Sequence, residues 1–100
     1  MSQFELTEIG LLVLSQLTKP VHGYDIMKTI EEDFKGEVII GPATLYTTLS
    51  KLVGLGFCQY KRVSNKKVYE LTPLGAQVLT NELEKKERVL TYIKKKMDSR

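Results

Sequence analysis

Apolar residues recur at helical spacing in four stretches of this 100-residue chain, and a fifth stretch reads as two short strands. From about Thr7 to Thr18, TEIGLLVLSQLT sets Leu6, Ile9, Val13 and Leu17 one turn apart, with Leu11, Leu12 and Leu14 on other faces. A helix apolar nearly all round is buried on several sides. Its start has two readings: Thr7 as N-cap, which is preferred, or Ser2 with Glu5 three residues on as a capping box. Lys19 to Gly23 break this helix, and a second is expected from Gly23 to Gly36 with Tyr24, Met27, Ile30 and Phe34 on one stripe. Gly41 and Pro42 announce a third, since proline suits the first helical position. Its core stripe is Leu45, Leu49 and Leu52, and Gly54 and Gly56 close it.

Beyond Gly56 the pattern becomes FCQYKRV, SNKK and VYELT, two strands around a polar turn. Thr72 and Pro73 then cap a long last helix running to about Met97. The order helix, helix, helix, hairpin, helix predicts a mainly α fold with a small β-hairpin, a winged helix-turn-helix followed by a long C-terminal helix. Residues 1–72 are expected to form the winged-helix part and residues 73–100 a dimerisation helix packed on the first, in one continuous unit.

Composition narrows the function. A chain 42% hydrophobic and 27% charged is an ordinary globular domain. No apolar run nears the roughly 20 residues of a membrane span, and the N-terminus has no basic segment ahead of an apolar one, so a cytoplasmic location is expected. One cysteine, Cys58, and one histidine, His22, leave no disulfide and no metal site, and no cofactor is expected. Cys58 reads as a small strand apolar and His22 as a turn residue. No Ser/His/Asp set, carboxylate pair or glycine-rich phosphate loop is present, so an enzyme is not expected. The net charge of +3 suits a polyanion but is common, so where the charges lie matters more.

On a wheel of about 100° per residue, with the leucine stripe inward, Ala43, Thr47, Ser50 and Gly54 of the third helix point outward, flanked by Tyr46 and Lys51. From Pro42 to Gly54 the one charged residue is Lys51. A small, acid-free face approaches a major groove without repelling phosphates, and the helix N-terminus offers unpaired N–H groups. The hairpin gathers Lys61, Arg62, Lys66 and Lys67 within seven positions. Such a tip fits a phosphate backbone, although a lysine-guarded, solvated turn has the same composition. Tyr24, at the start of the second helix, stands where its hydroxyl can meet a phosphate, or packs on the core with a wet tip. In the last helix, Ala76, Leu79, Leu83, Lys86, Leu90, Ile93 and Met97 alternate spacings of three and four, a heptad seam broken at Lys86. A domain this small covers only the first turns, so Leu83, Leu90, Ile93 and Met97 point to a two-fold dimer, presenting reading helices roughly 34 Å apart.

HGYDI (His22 to Ile26), GPATLYTTLSKLVGLGF (Gly41 to Phe57) and VYELTPLG (Val68 to Gly75) together resemble the PadR family of regulators. The resemblance implies a winged helix dimerising through its last and first helices, which brings in Leu11, and repression of the protein's own gene or of neighbouring detoxification or efflux genes. Tyr24 matches the family's tyrosine near the DNA backbone, and Pro42, Thr44 and Tyr46 match its reading-helix motif. Lys66 and Lys67 stand where members carry a longer basic wing with glycines and arginines. Some members bind flat aromatic drugs between the last helices through tryptophan. This chain has none, and a cavity for a small-molecule inducer would be lined by residues such as Phe4, Val89 and Tyr92. The expected function is a sequence-specific, double-stranded-DNA-binding repressor acting as a homodimer on a near-palindromic operator. The alternative is a winged-helix module that binds another protein.

Overall fold

The computed structural model describes residues 6–99. Helix α1 (Glu8–Ser15) begins where Thr7 Oγ1 accepts a hydrogen bond from the Gly10 N–H at 3.0 Å. Thr7 is thus the cap, and the alternative at Ser2 and Glu5 lies outside the described residues. The helix stops three residues short of Thr18, and Gln16–Thr18 tighten into a 3₁₀ turn. The cause is Pro20, which forces Lys19 into the extended region at φ −130° and ψ 154°. Ile9, expected on the buried stripe, is partly exposed, while Val13, Leu14 and Leu17 are fully enclosed.

Strand β1 (Val21–His22) follows, then α2 (Gly23–Asp33) and α3 (Pro42–Gly54). Helix α2 differs from its expected stripe: Gly23, Ile26 and Ile30 are buried, whereas Tyr24 and Phe34 are exposed. Phe34 is already the C-cap, and beyond it Gly36 N–H bonds the Glu31 carbonyl and Lys35 N–H that of Glu32, a Schellman closure that turns the chain outward. Helix α3 follows its expected pattern, with Leu45, Leu49 and Leu52 buried. It ends in the same way, Phe57 N–H bonding the Leu52 carbonyl and Gly56 N–H that of Val53.

Strands β2 (Cys58–Val63) and β3 (Lys66–Leu71) pair antiparallel around Ser64 and Asn65, whose φ values of 51° and 66° make the two-residue mirror-image turn that matches strand twist. Strand β1 adds to the other edge, giving the order β1–β3–β2 with His22 opposite Val68. His22, expected in a turn, is therefore a strand residue and also the N-cap of α2.

Helix α4 (Pro73–Asp98) is tied to both α3 and the sheet. Thr72 Oγ1 accepts from Gly75 N–H at 3.0 Å and donates to the Gly56 carbonyl at 2.6 Å. A Cβ on Gly75 would run into the Phe57 carbonyl oxygen, so only glycine allows α4 to cross here. The helix buries Gly75 and Glu82 and half-buries Val78 and Leu79, while Ala76, the first member of the expected seam, faces solvent. From Lys86 onward every described residue is exposed. At 26 residues, α4 is about 39 Å long. Its far half projects, which explains a radius of gyration of 15.5 Å against about 13 Å for a compact chain of this length. The molecule is thus a mainly helical winged helix with a small three-stranded sheet. Among the described residues no helix is long and apolar enough to cross a membrane.

Candidate nucleic-acid interface

The core leucines fix how α3 presents itself. With Leu45, Leu49 and Leu52 inward, Ala43, Thr47, Ser50 and Gly54 are exposed along one line, with Thr44 and Lys51 on one flank and Tyr46 on the other. Pro42 opens the helix without a side-chain cap, leaving first-turn N–H groups directed outward at the positive end of the dipole.

On the Tyr46 flank, α3, the start of α2 and the hairpin enclose a cleft of about 520 Å³. Tyr24, Tyr46 and Tyr69 line it together with Arg62, Lys66 and Lys67 and with one acid, Asp25. Tyr46 lies against the backbone of Gly23, where an added Cβ would stand 2.7 Å from the phenol oxygen. Tyr24, 66% exposed, stands at the cleft's rim and is not a core tyrosine.

Strand alternation sorts the hairpin's charges. Tyr60 and Tyr69 are opposite each other, with ring centroids 5.6 Å apart, and Lys67 Nζ sits 4.4 Å from the centroid of Tyr60. On the same face Arg62 is directly opposite Lys67. Like charges in register destabilise a strand pair, so this pairing gains nothing for the hairpin itself. Lys61 alternates to the other face, beside Pro20, Val68 and Glu70. Alternation thus gathers Arg62 and Lys67 with Tyr24 and Tyr46 and sets Lys61 apart, while Lys66, on the Lys61 face by register, lines the cleft from the hairpin tip.

Burial pushes the Tyr69 phenol pKa up, reinforced by the neighbouring Tyr46, Cys58 and Tyr60 and opposed by Arg62, so Tyr69 stays neutral in the cleft. Cys58 is buried, its thiol pushed up to about 11 by desolvation, in keeping with a packing role. His22 Nδ1 is buried beside the cleft with no hydrogen-bond partner. No group of three or more His, Cys, Asp or Glu among the described residues is placed to hold a metal ion.

Tyr60, Tyr69, Asn65 and Gly23 were missed as site residues. Counting outward from a two-residue turn at Ser64 and Asn65 would have placed Tyr60 opposite Tyr69, so that part was legible. Gly23 carried no such signal, because its partner Tyr46 is distant in sequence.

On the opposite side, Leu11 lines an apolar groove of about 510 Å³ with Leu12, Phe34, Val38, Leu79 and Leu83. Farther along α4, Leu90 is 55% and Ile93 46% exposed, and Met97 is also exposed. Val89 and Tyr92 lie on that exposed half and do not line the groove, and Phe4 is outside the described residues. Glu82, absent from the sequence reading, is 6% exposed; one carboxylate oxygen is 3.4 Å from Lys85 Nζ and the other has no hydrogen-bond partner.

Among curated proteins no relative matches. Solved structures do. A transcriptional regulator from Clostridium thermocellum is 25% identical, with a TM-score of 0.75 over 87% of this chain and 90% of that one. A PadR family transcription regulator from Clostridium difficile is 28% identical, with a TM-score of 0.67 over 92% and 96%. Bacillus subtilis PadR, solved with operator DNA, is 26% identical with a TM-score of 0.70, over 77% of this chain and 47% of that one. The model of the transcriptional regulator PadR-like family matches residues 11–81, a span that holds the winged helix and the anchored start of α4. This chain belongs to the PadR-like family of transcriptional regulators, which are not enzymes.

Proposed function

We propose that this protein is a repressor that binds double-stranded DNA sequence-specifically, in the cytoplasm, as a homodimer on a near-palindromic operator. One observation carries the reading: the charge-poor outer face of α3 adjoins a cleft in which three tyrosines and three cations converge. Ala43, Thr44, Thr47 and Ser50 enter the major groove from α3, whose N-terminus at Pro42 meets a phosphate. Tyr24, Tyr46, Lys51, Arg62, Lys66 and Lys67 hold the flanking backbone. Lys61, on the far face of the wing, is the most peripheral of the cations. Bacillus subtilis PadR, with the same fold, is known in complex with operator DNA, which supports this assignment.

Residues 73–100 supply the dimer, with Leu83, Leu90, Ile93 and Met97 of α4 meeting their symmetry mates and Leu11 of α1. The exposed aliphatics beyond Lys86 support this, since a projecting helix otherwise leaves them in water. A small-molecule inducer would sit between the last helices, beside the exposed Val89 and Tyr92.

Selection of duplexes from a random pool tests the reading. The expected winners share an inverted repeat with half-sites about 10 base pairs apart, and their affinity falls steeply with salt. A pool that never enriches, alongside capture of a protein partner by the intact cleft, would instead establish a protein-binding winged helix.

A further inference from the structure

The outer face of α3 also restricts which bases it can distinguish, an argument that rests on the DNA-binding reading above. In the major groove guanine is read by Arg or Lys, adenine by Asn or Gln, and cytosine by Asp or Glu. Helix α3 contains no Arg, Asn, Gln, Asp or Glu, and its one lysine, Lys51, lies on a flank. What points outward from the first two turns is Ala43 and Thr47, with Thr44 at the edge, each ending in a methyl group. The base feature that a methyl group contacts in that groove is the thymine C5 methyl. Side chains this short reach a base only if the helix backbone itself enters deeply, and the face permits that because no long side chain stands in front of it.

We propose that base readout by this protein is carried by methyl contacts: Ala43 and Thr47, with Thr44 beside them, read the C5 methyls of thymines, so the specified positions of each half-site are A·T pairs. Ser50, one turn further along, adds a hydroxyl that accepts or donates to either strand and discriminates little. Orientation and affinity then come from the phosphate contacts of the cleft, and sequence from a few small apolar contacts.

Deoxyuridine lacks only the thymine methyl, so it isolates this term. In the selected duplex each half-site thymine is replaced singly by deoxyuridine and binding is measured by fluorescence anisotropy. The contacted positions are expected to weaken about fourfold each, the worth of one buried methyl group, and the remaining positions not at all. Thr47→Ser removes the protein methyl and keeps the hydroxyl, so the variant is expected to bind the thymine duplex several-fold less tightly and to lose the thymine–uracil difference at one position. Thr47→Val keeps the methyl and is expected to retain that difference. Both changes are on an exposed surface, and unchanged melting temperatures verify the fold. Equal binding of thymine and uracil at every position, or specified positions that are G·C pairs, overturns methyl readout while leaving sequence-specific DNA binding in place. A protein with no duplex preference overturns both.

Discussion

Helices α3 and the outer half of α4 both turn a long face to solvent, and the two faces differ in chemistry. On α3 the exposed residues are small and uncharged apart from Tyr46 and Lys51 on its flanks, and the helix behind them is fixed to the core through Leu45, Leu49 and Leu52. On α4 beyond Lys86 the exposed residues combine large apolar side chains such as Leu90 and Ile93 with the lysine run Lys94, Lys95 and Lys96, and no core lies behind them. A rigid, shallow face fits a partner already shaped and hydrated, as the floor of a DNA groove is. A projecting helix of some three turns is marginal alone, and its aliphatics gain only from another apolar surface. On the proposed reading, recognition falls to the helix the fold holds most tightly and association to the one it holds least.

The largest effect that would break this division is in α4. Leu90→Lys removes a side chain whose burial is worth about 2 kcal/mol, and two-fold symmetry counts the loss twice. The dimer dissociation constant is expected to rise roughly a thousandfold, giving monomers in sedimentation velocity with any loss of helical circular dichroism confined to the outer turns of α4. A persisting dimer places the association surface elsewhere. Thr47→Glu is the counterpart in α3. An acid facing phosphates costs several kcal/mol, so operator affinity is expected to fall about a hundredfold or more while sedimentation still reports a dimer. Normal affinity would remove α3 from the reading role.

Much of this division was legible in the sequence because its signals are local. The cap at Thr7, the prolines at 42 and 73 and the leucine stripe of α3 each declare themselves within one or two turns, and all stand where expected. What was not legible depends on distant partners. Strand β1 is two residues long and exists only through pairing with β3. The stripe of α2 holds at Ile30 and half-buried Met27 but fails at Tyr24 and Phe34, which count as apolar by composition, whereas the buried direction is shared with Gly23 and Ile26. Glu82 lies between seam positions of α4 and becomes buried only because the start of that helix packs onto α1 and the sheet.

The two faces of the wing sharpen the comparison at smaller scale. Lys67 faces α3 and Lys61 faces away, so Lys67→Ala is expected to lower the slope of log affinity against log salt by about one, and Lys61→Ala to leave it unchanged. Lys67→Ala also forfeits the cation–π contact with Tyr60, worth about 0.5–1 kcal/mol at an exposed site, so a small drop in wing stability accompanies it. Equal slopes for the two variants would mean the wing lies edge-on to the backbone.

The smallest expected effect separates binding from folding at one atom. Gly23→Ala puts a Cβ 2.7 Å from the Tyr46 phenol oxygen and 2.8 Å from Cε1, so the ring must swing away. The ring is 45% exposed and free to move outward, and alanine is the better helix former by up to about 1 kcal/mol, so net stability should change little. The displaced phenol no longer faces the cleft beside Tyr24 and Arg62. Loss of one phosphate hydrogen bond, about 0.5–1.5 kcal/mol, corresponds to a roughly two- to tenfold weaker duplex complex. Urea unfolding and anisotropy on the same preparation check the pair of outcomes. A variant that unfolds more easily yet binds normally would make Gly23 a packing residue and remove Tyr46 from the interface.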